Sequence, residues 1–131
     1  MEQLEFPDGC KVIEDLINGE TFDGKRISAG QFTTADALSK VQDEPFVLIT
    51  TDGGVPGYVD QVEQLTLQVN AAAGTAKKIA SEIRTQIIGE NIDTAHGFVD
   101  AIKCDRIPTV TPVTDQMDQA TLLVSIISRP L

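Results

Sequence analysis

The chain has no tryptophan, one tyrosine and five phenylalanines, so aromatics make up only 5% of its 131 residues. A core with so few rings must be built from Ile, Leu, Val and Ala, which suits a thin layer of helices on one sheet. Basic side chains are scarce as well: ten Lys and Arg stand against twenty Asp and Glu, a formal net charge of −10. A surface of that sign repels phosphate backbones and argues against direct gripping of nucleic acid. Two cysteines, Cys10 and Cys104, lie far apart and form no CxxC pair, so no disulfide framework is indicated. They read as buried thiols in a reducing compartment. The longest strongly apolar run, Leu122 to Ile127, is far short of a membrane span. Residues Met1 to Asp8 have neither the basic start nor the apolar stretch of a signal peptide. The expectation is a soluble protein made in a cytoplasm.

Chemistry-bearing constellations are equally thin. His96 is the only histidine and sits in Thr94-Ala-His-Gly97, a turn ahead of a strand, with no Cys or second His at ligand spacing. Neither thiol has a nearby basic run to lower its pKa. No Ser-His-Asp or Cys-His arrangement is visible. Asp43-Glu44, Glu14-Asp15 and Asp52 lie in polar surroundings and read as solvated surface rather than a convergent acid pair. Gly53-Gly54-Val-Pro56-Gly57 superficially suggests a phosphate cradle. It lacks the Lys-Ser/Thr of a P-loop and the spacing of a dinucleotide fingerprint, and Asp52 and Asp60 flank it. The expectation is no catalytic residue, no cofactor and no metal.

What the chain does have is organised hydrophobic pattern. At this length one domain, residues 1–131, is the default. Asp8 can cap a helix of about residues 9–18, with Val12, Ile13, Leu16 and Ile17 on one face. A long acidic connection follows over 20–45, in which Thr34 to Val41 can form one or two helical turns. The charge is concentrated early: residues 1–60 carry a net −8 and residues 61–131 a net −2. From Phe46 to Thr51 the chain reads as a buried strand, turning at the Gly53-Gly54 tip into an alternating strand with Leu65, Leu67, Val69 and Ala71 on one face. Thr75 then opens a helix with a stripe of Ala76, Ile79, Ala80, Ile83 and Ile87. Burying the three isoleucines of that stripe contributes roughly 1.5 to 3 kcal/mol each. Phe98 to Ile107 and Ala120 to Ser128 supply two more strands, joined by a proline-marked connection from Pro108 to Asp115. The predicted fold is α+β, with order α-β-β-α-β-β: an antiparallel four-stranded sheet with helices packed on one face, residues 46–131 forming the core. Arg129 closes the last strand, and serves either an intersubunit salt bridge or a plain strand end.

These elements together resemble one family. Thr50-Thr-Asp-Gly-Gly54, Val59-Asp60 with the Leu65 to Ala71 strand, the Ala76 to Ile87 helix, Phe98-Val-Asp100 with Ile107-Pro108, and Ser128-Arg129-Pro130 resemble, in that order, the tail terminator proteins of long-tailed bacteriophages. The likeness spans residues 45–131. It implies a small α/β subunit with an antiparallel sheet. Such a subunit forms a homo-oligomeric, hexameric ring on the head-proximal end of the tail tube, in a virion assembled in the host cytoplasm. Its implied partners are the major tail tube protein and a neck or head-closure protein, with DNA passing through an acidic lumen without specific binding and no membrane involved. Gly53, Gly54, Asp60, Pro108, Asp115 and Arg129 are the interface candidates that the resemblance and the loop positions suggest. Two readings compete: another head-tail neck or connector protein, and a small ligand-binding α+β domain.

Overall fold

A computed structural model describes residues 8–32, 39–56, 61–104 and 106–129. Helix α1 (Gly9–Ile17) begins where the Asp8 carboxylate accepts the backbone N–H groups of Cys10 at 3.0 Å and Lys11 at 3.4 Å. That satisfies two of the donors a helix start leaves open. Its buried face is Cys10, Val12, Ile13 and Ile17. Helix α2 (Ala76–Ile87) buries Ala76, Ile79, Ala80, Ile83 and Ile87, the single stripe that the spacing predicts.

Nine strands accompany the two helices among the described residues. Strands β1 (Thr21–Phe22) and β2 (Lys25–Arg26) form a small separate hairpin, turned by Asp23 and Gly24 at φ of 51° and 75°. Lys78 of α2 holds that turn through a 2.8 Å ion pair with Asp23. The other seven are β3 (Ser28–Gly30), β4 (Phe46–Pro56), β5 (Gln61–Ala72), β6 (Gly89–Thr94), β7 (Gly97–Lys103), β8 (Thr109–Thr114) and β9 (Met117–Ser128). They form one mixed sheet in the order β3-β4-β5-β9-β7-β6, with β8 also on β9. β3 and β4 run parallel; the remaining pairs are antiparallel.

The centre is the β5–β9 ladder, unbroken from Gln61↔Ser128 to Ala72↔Met117. On the other side of β9, β7 pairs with Ser125–Ser128 and β8 with Met117–Thr121. The pleat sends Leu65, Leu67, Val69 and Ala71 of β5 and Ala120, Leu122, Val124 and Ile126 of β9 to one face. Val47 and Ile49 of β4 join them, and both helices pack there in one continuous core.

The expected four-stranded antiparallel sheet is therefore corrected to a seven-stranded mixed sheet plus a hairpin. Three causes account for the difference. β6 is Gly-Glu-Asn-Ile-Asp-Thr, too polar to show alternation, and β8 contains Pro112, which a strand tolerates only at an edge. β3 lies inside the expected 20–45 connection, and its parallel pairing with β4 leaves no periodic trace. The helical turns expected between Thr34 and Val41 fall mostly outside the described residues.

Candidate assembly interface

The face of the sheet opposite the helices has an unusual composition. Register and pleat place Thr50 of β4, Gln64, Thr66 and Gln68 of β5, and Thr121, Leu123 and Ser125 of β9 side by side on it. None of these seven side chains is charged, although 23% of the chain is. Leu123 is 41% exposed at the middle, and a depression of about 230 Å³ there is lined by Asp52, Gln64, Leu123, Ser125 and Arg106. Asp52 bounds the face on one side, where its carboxylate accepts the Thr66 hydroxyl. Lys103, opposite Ser125, and Arg106 bound it on the other.

One end of this face is covered. Asn70 is buried, its Nδ2 donating to the Phe46 carbonyl oxygen at 3.4 Å and its Oδ1 accepting from Gln119 Nε2 at 3.1 Å. The segment before Pro45 crosses here: Val41 is buried, and Gln42 Nε2 donates to the Gln116 carbonyl at 2.6 Å.

The interface candidates from the sequence fall in different places. Gly53 and Gly54 are not a hairpin tip. The β4–β5 ladder continues past them to Pro56↔Gln61: Asp52 and Gly53 form a bulge inside the strand, and Gly54 resumes the pairing opposite Glu63. Gly53 supplies the positive φ, 83°, and a Cβ on Gly54 would collide with the Val62 carbonyl oxygen. Only glycine permits that approach. Asp60 lies outside the described residues. Pro108 is buried at the entry to β8, and Asp115 is exposed in the two-residue turn between β8 and β9.

Arg129 has an intrachain role. Its Nε donates to both oxygens of Asp100, at 2.8 and 3.0 Å, and its Nη2 lies 2.7 Å from Oδ1. The guanidinium also sits 5.7 Å from the centre of the Phe98 ring. Asp100 is the extra residue of a bulge between Val99↔Ser128 and Ala101↔Ile127, which turns its side chain toward the end of β9. Asp100 is not recognisable as this partner from the sequence, because a bulge leaves no mark in alternation.

Glu63 makes a second link of this kind. Its Oε1 accepts the Gly9 N–H at 3.1 Å and its Oε2 accepts the Thr51 hydroxyl at 2.7 Å, which pins the start of α1 to the β4–β5 arm. A separation of 54 residues hides such a link from any local motif.

The titratable groups are arranged for structure. Cys10 is buried, and that burial, reinforced by Glu63 and Asp8, pushes its thiol up to about 11, so it stays protonated. Cys104 is buried too, and its carbonyl accepts two bonds from Arg84, at 3.1 and 2.9 Å. His96 is exposed at the β6–β7 turn beside an open groove that includes Lys11, Glu14 and Asp15. Among the described residues no three His, Cys, Asp or Glu side chains gather where they would hold a metal ion. No described helix is long and apolar enough to cross a membrane. Compared with known proteins, the chain matches no family model and no curated protein.

Proposed function

We propose that the chain is a structural subunit of a long-tailed bacteriophage tail, of the tail-terminator kind. It forms a ring at the head-proximal end of the tail tube, stops tube growth and offers the neck proteins a docking surface. One observation carries the reading beyond the sequence resemblance: the uncharged, hydroxyl- and amide-rich outer face centred on Leu123, in a chain of net charge −10. Copies of so acidic a chain repel wherever their charged surfaces meet, and this face lets them approach without that penalty. The remaining acidic surface suits a lumen through which DNA slides without adhering. The seven-stranded sheet is larger than the resemblance implies, so the proposal rests on the face and not on fold likeness.

Imaging the purified protein with and without elongating tail-tube protein tests it. Rings of uniform diameter and tubes of limited length are expected, with Leu123→Asp abolishing the rings while leaving the melting temperature unchanged. Rings that leave tube length unrestricted favour a head-side connector of the same virion class. A monomer that never assembles with either partner rejects the assembly reading altogether.

A further inference from the structure

Among the described residues the sheet leaves three outer edges, at β3, β6 and β8, and they are protected unequally. At β3 the Ala29 N–H is taken by the Asn18 side chain at 3.0 Å, so the end of α1 guards that edge. β6 carries the exposed acids Glu90 and Asp93, and Asn91 at φ 55° breaks its extended backbone. These are the usual devices that keep an edge from recruiting another strand. β8 carries no charge and, among the described residues, no side-chain cap of this kind. All six of its residues are exposed, it pairs only with β9 among the described residues, and Ile107 to Thr114 contains no charged side chain. Ile107 is 75% exposed and Val113 49%. Its guards are Pro112, which removes one N–H, and the register shift against β9 between Pro112 and Thr114.

We propose that β8 pairs antiparallel with β8 of a second copy of this chain, about a twofold axis, joining the two sheets edge to edge. Unpaired backbone along a strand edge calls for another strand. The charges at the two ends select which one and in which direction. Lys103 and Arg106 precede the strand and Asp115 follows it; Asp105 lies outside the described residues. Antiparallel pairing brings Arg106 of one copy beside Asp115 of the other, at both ends of the contact. Parallel pairing would set like charges together, and a copy presenting one of its acidic surfaces would meet the repulsion of a −10 chain. The β-branched Thr109, Val110, Thr111 and Val113 suit cross-strand packing. Such a contact closes at two copies and cannot by itself build a sixfold ring, so it stands apart from the tail-terminator reading.

Thr111→Cys in the full chain is the test, because an antiparallel pair about a twofold axis near mid-strand sets this residue of the two copies close together, and charge reversals at the strand ends separate it from a parallel pair. Cys10 and Cys104 are buried, which leaves the new thiol as the exposed one. Mild oxidation should give a covalent species at twice the 14.1 kDa chain mass and nothing larger. In light scattering across a concentration series, Arg106→Glu and Asp115→Arg should each weaken the dimer about tenfold, and the combined reversal should restore it. Val110→Lys should abolish the dimer without moving the melting curve. No disulfide across the concentration series, or a double reversal no better than its single members, overturns the proposal. A ring that survives Val110→Lys without the Thr111→Cys cross-link also overturns it while leaving the ring reading standing. A cross-linked dimer with no ring supports it and counts against the ring instead.

Discussion

Arg129 and Asp100 form a two-pronged ion pair across the end of β9, with Nε at 2.8 and 3.0 Å from the two carboxylate oxygens and Nη2 at 2.7 Å from one of them. The pair fastens the last paired residues of β9 to the bulge of β7. Its side chains are 58% and 19% exposed, so solvent screens it and its contribution stays modest despite good geometry.

A double-mutant cycle on Arg129→Ala and Asp100→Ala in urea should return a coupling of about 0.5 to 1 kcal/mol that shrinks in high salt. The exchange Arg129→Asp with Asp100→Arg should recover part of the loss of either alone. If each single substitution leaves the midpoint unchanged, the pair does not hold the strand.

The two neighbouring glycines at the β4 bulge should behave differently. Gly53→Ala must adopt a positive φ of 83° with open space around the new methyl, and should cost about 1 kcal/mol. Gly54→Ala drives a methyl into the Val62 carbonyl oxygen and has to displace backbone, so about 2 kcal/mol or more is expected. Chemical denaturation of both variants ranks them. Equal costs would show that the bulge relaxes freely.

Cys10 makes the fold sensitive to alkali. Its folded pKa is raised from about 9 to about 11, chiefly by burial, so the folded chain holds the proton more tightly than the unfolded one. The associated stabilisation is intact below about pH 9 and is lost as pH rises through about 11. Relative to Cys10→Ala, the wild type should lose on the order of 2 kcal/mol over that interval, since one pKa unit is worth about 1.4 kcal/mol. Parallel stability-against-pH curves for the two proteins would remove the thiol as the cause.

Helix α1 depends on one side chain at its start and helix α2 on its buried stripe. Asp8→Ala should cost about 1 kcal/mol through the lost cap. Ile83→Ala should cost about 3 kcal/mol, because the side chain is fully buried and its removal leaves a cavity. Thermal melts of both give the ratio. A larger effect at Asp8 than at Ile83 would contradict the assignment of α2 to the core.

How much of this was legible in the sequence depends on how locally each feature is encoded. The α2 stripe Ala76, Ile79, Ala80, Ile83 and Ile87 was readable because a 3.6-residue period needs no partner, and the inward set Leu65, Leu67, Val69 and Ala71 because one face of β5 is fully buried. Gly53-Gly54 was misplaced as a tip, since glycines mark bulges and turns alike. β6 and β8 escaped because an edge strand buries little and its identity lies in the neighbour's hydrogen bonds. The uncharged outer face was hidden for a further reason. Thr50, Thr66 and Leu123 are brought together only by register, which turns and long-range pairing set.

β9 follows every other described strand in sequence, yet it lies between β5 on one side and β7 and β8 on the other. Among the described residues no earlier strand substitutes for it: without β9, the edge of β5 away from β4 has no partner and β8 has no hydrogen-bonded neighbour. The β4–β5 and β6–β7 hairpins can zip locally, but the sheet joins into one body only when its final strand arrives from 45 or more residues away along the chain. Folding is thus gated by a single late insertion, and such long-range closure is intrinsically slow. A growing chain would carry an open, apolar β5 margin until then. One window of vulnerability to aggregation therefore falls in the time before β9 is made.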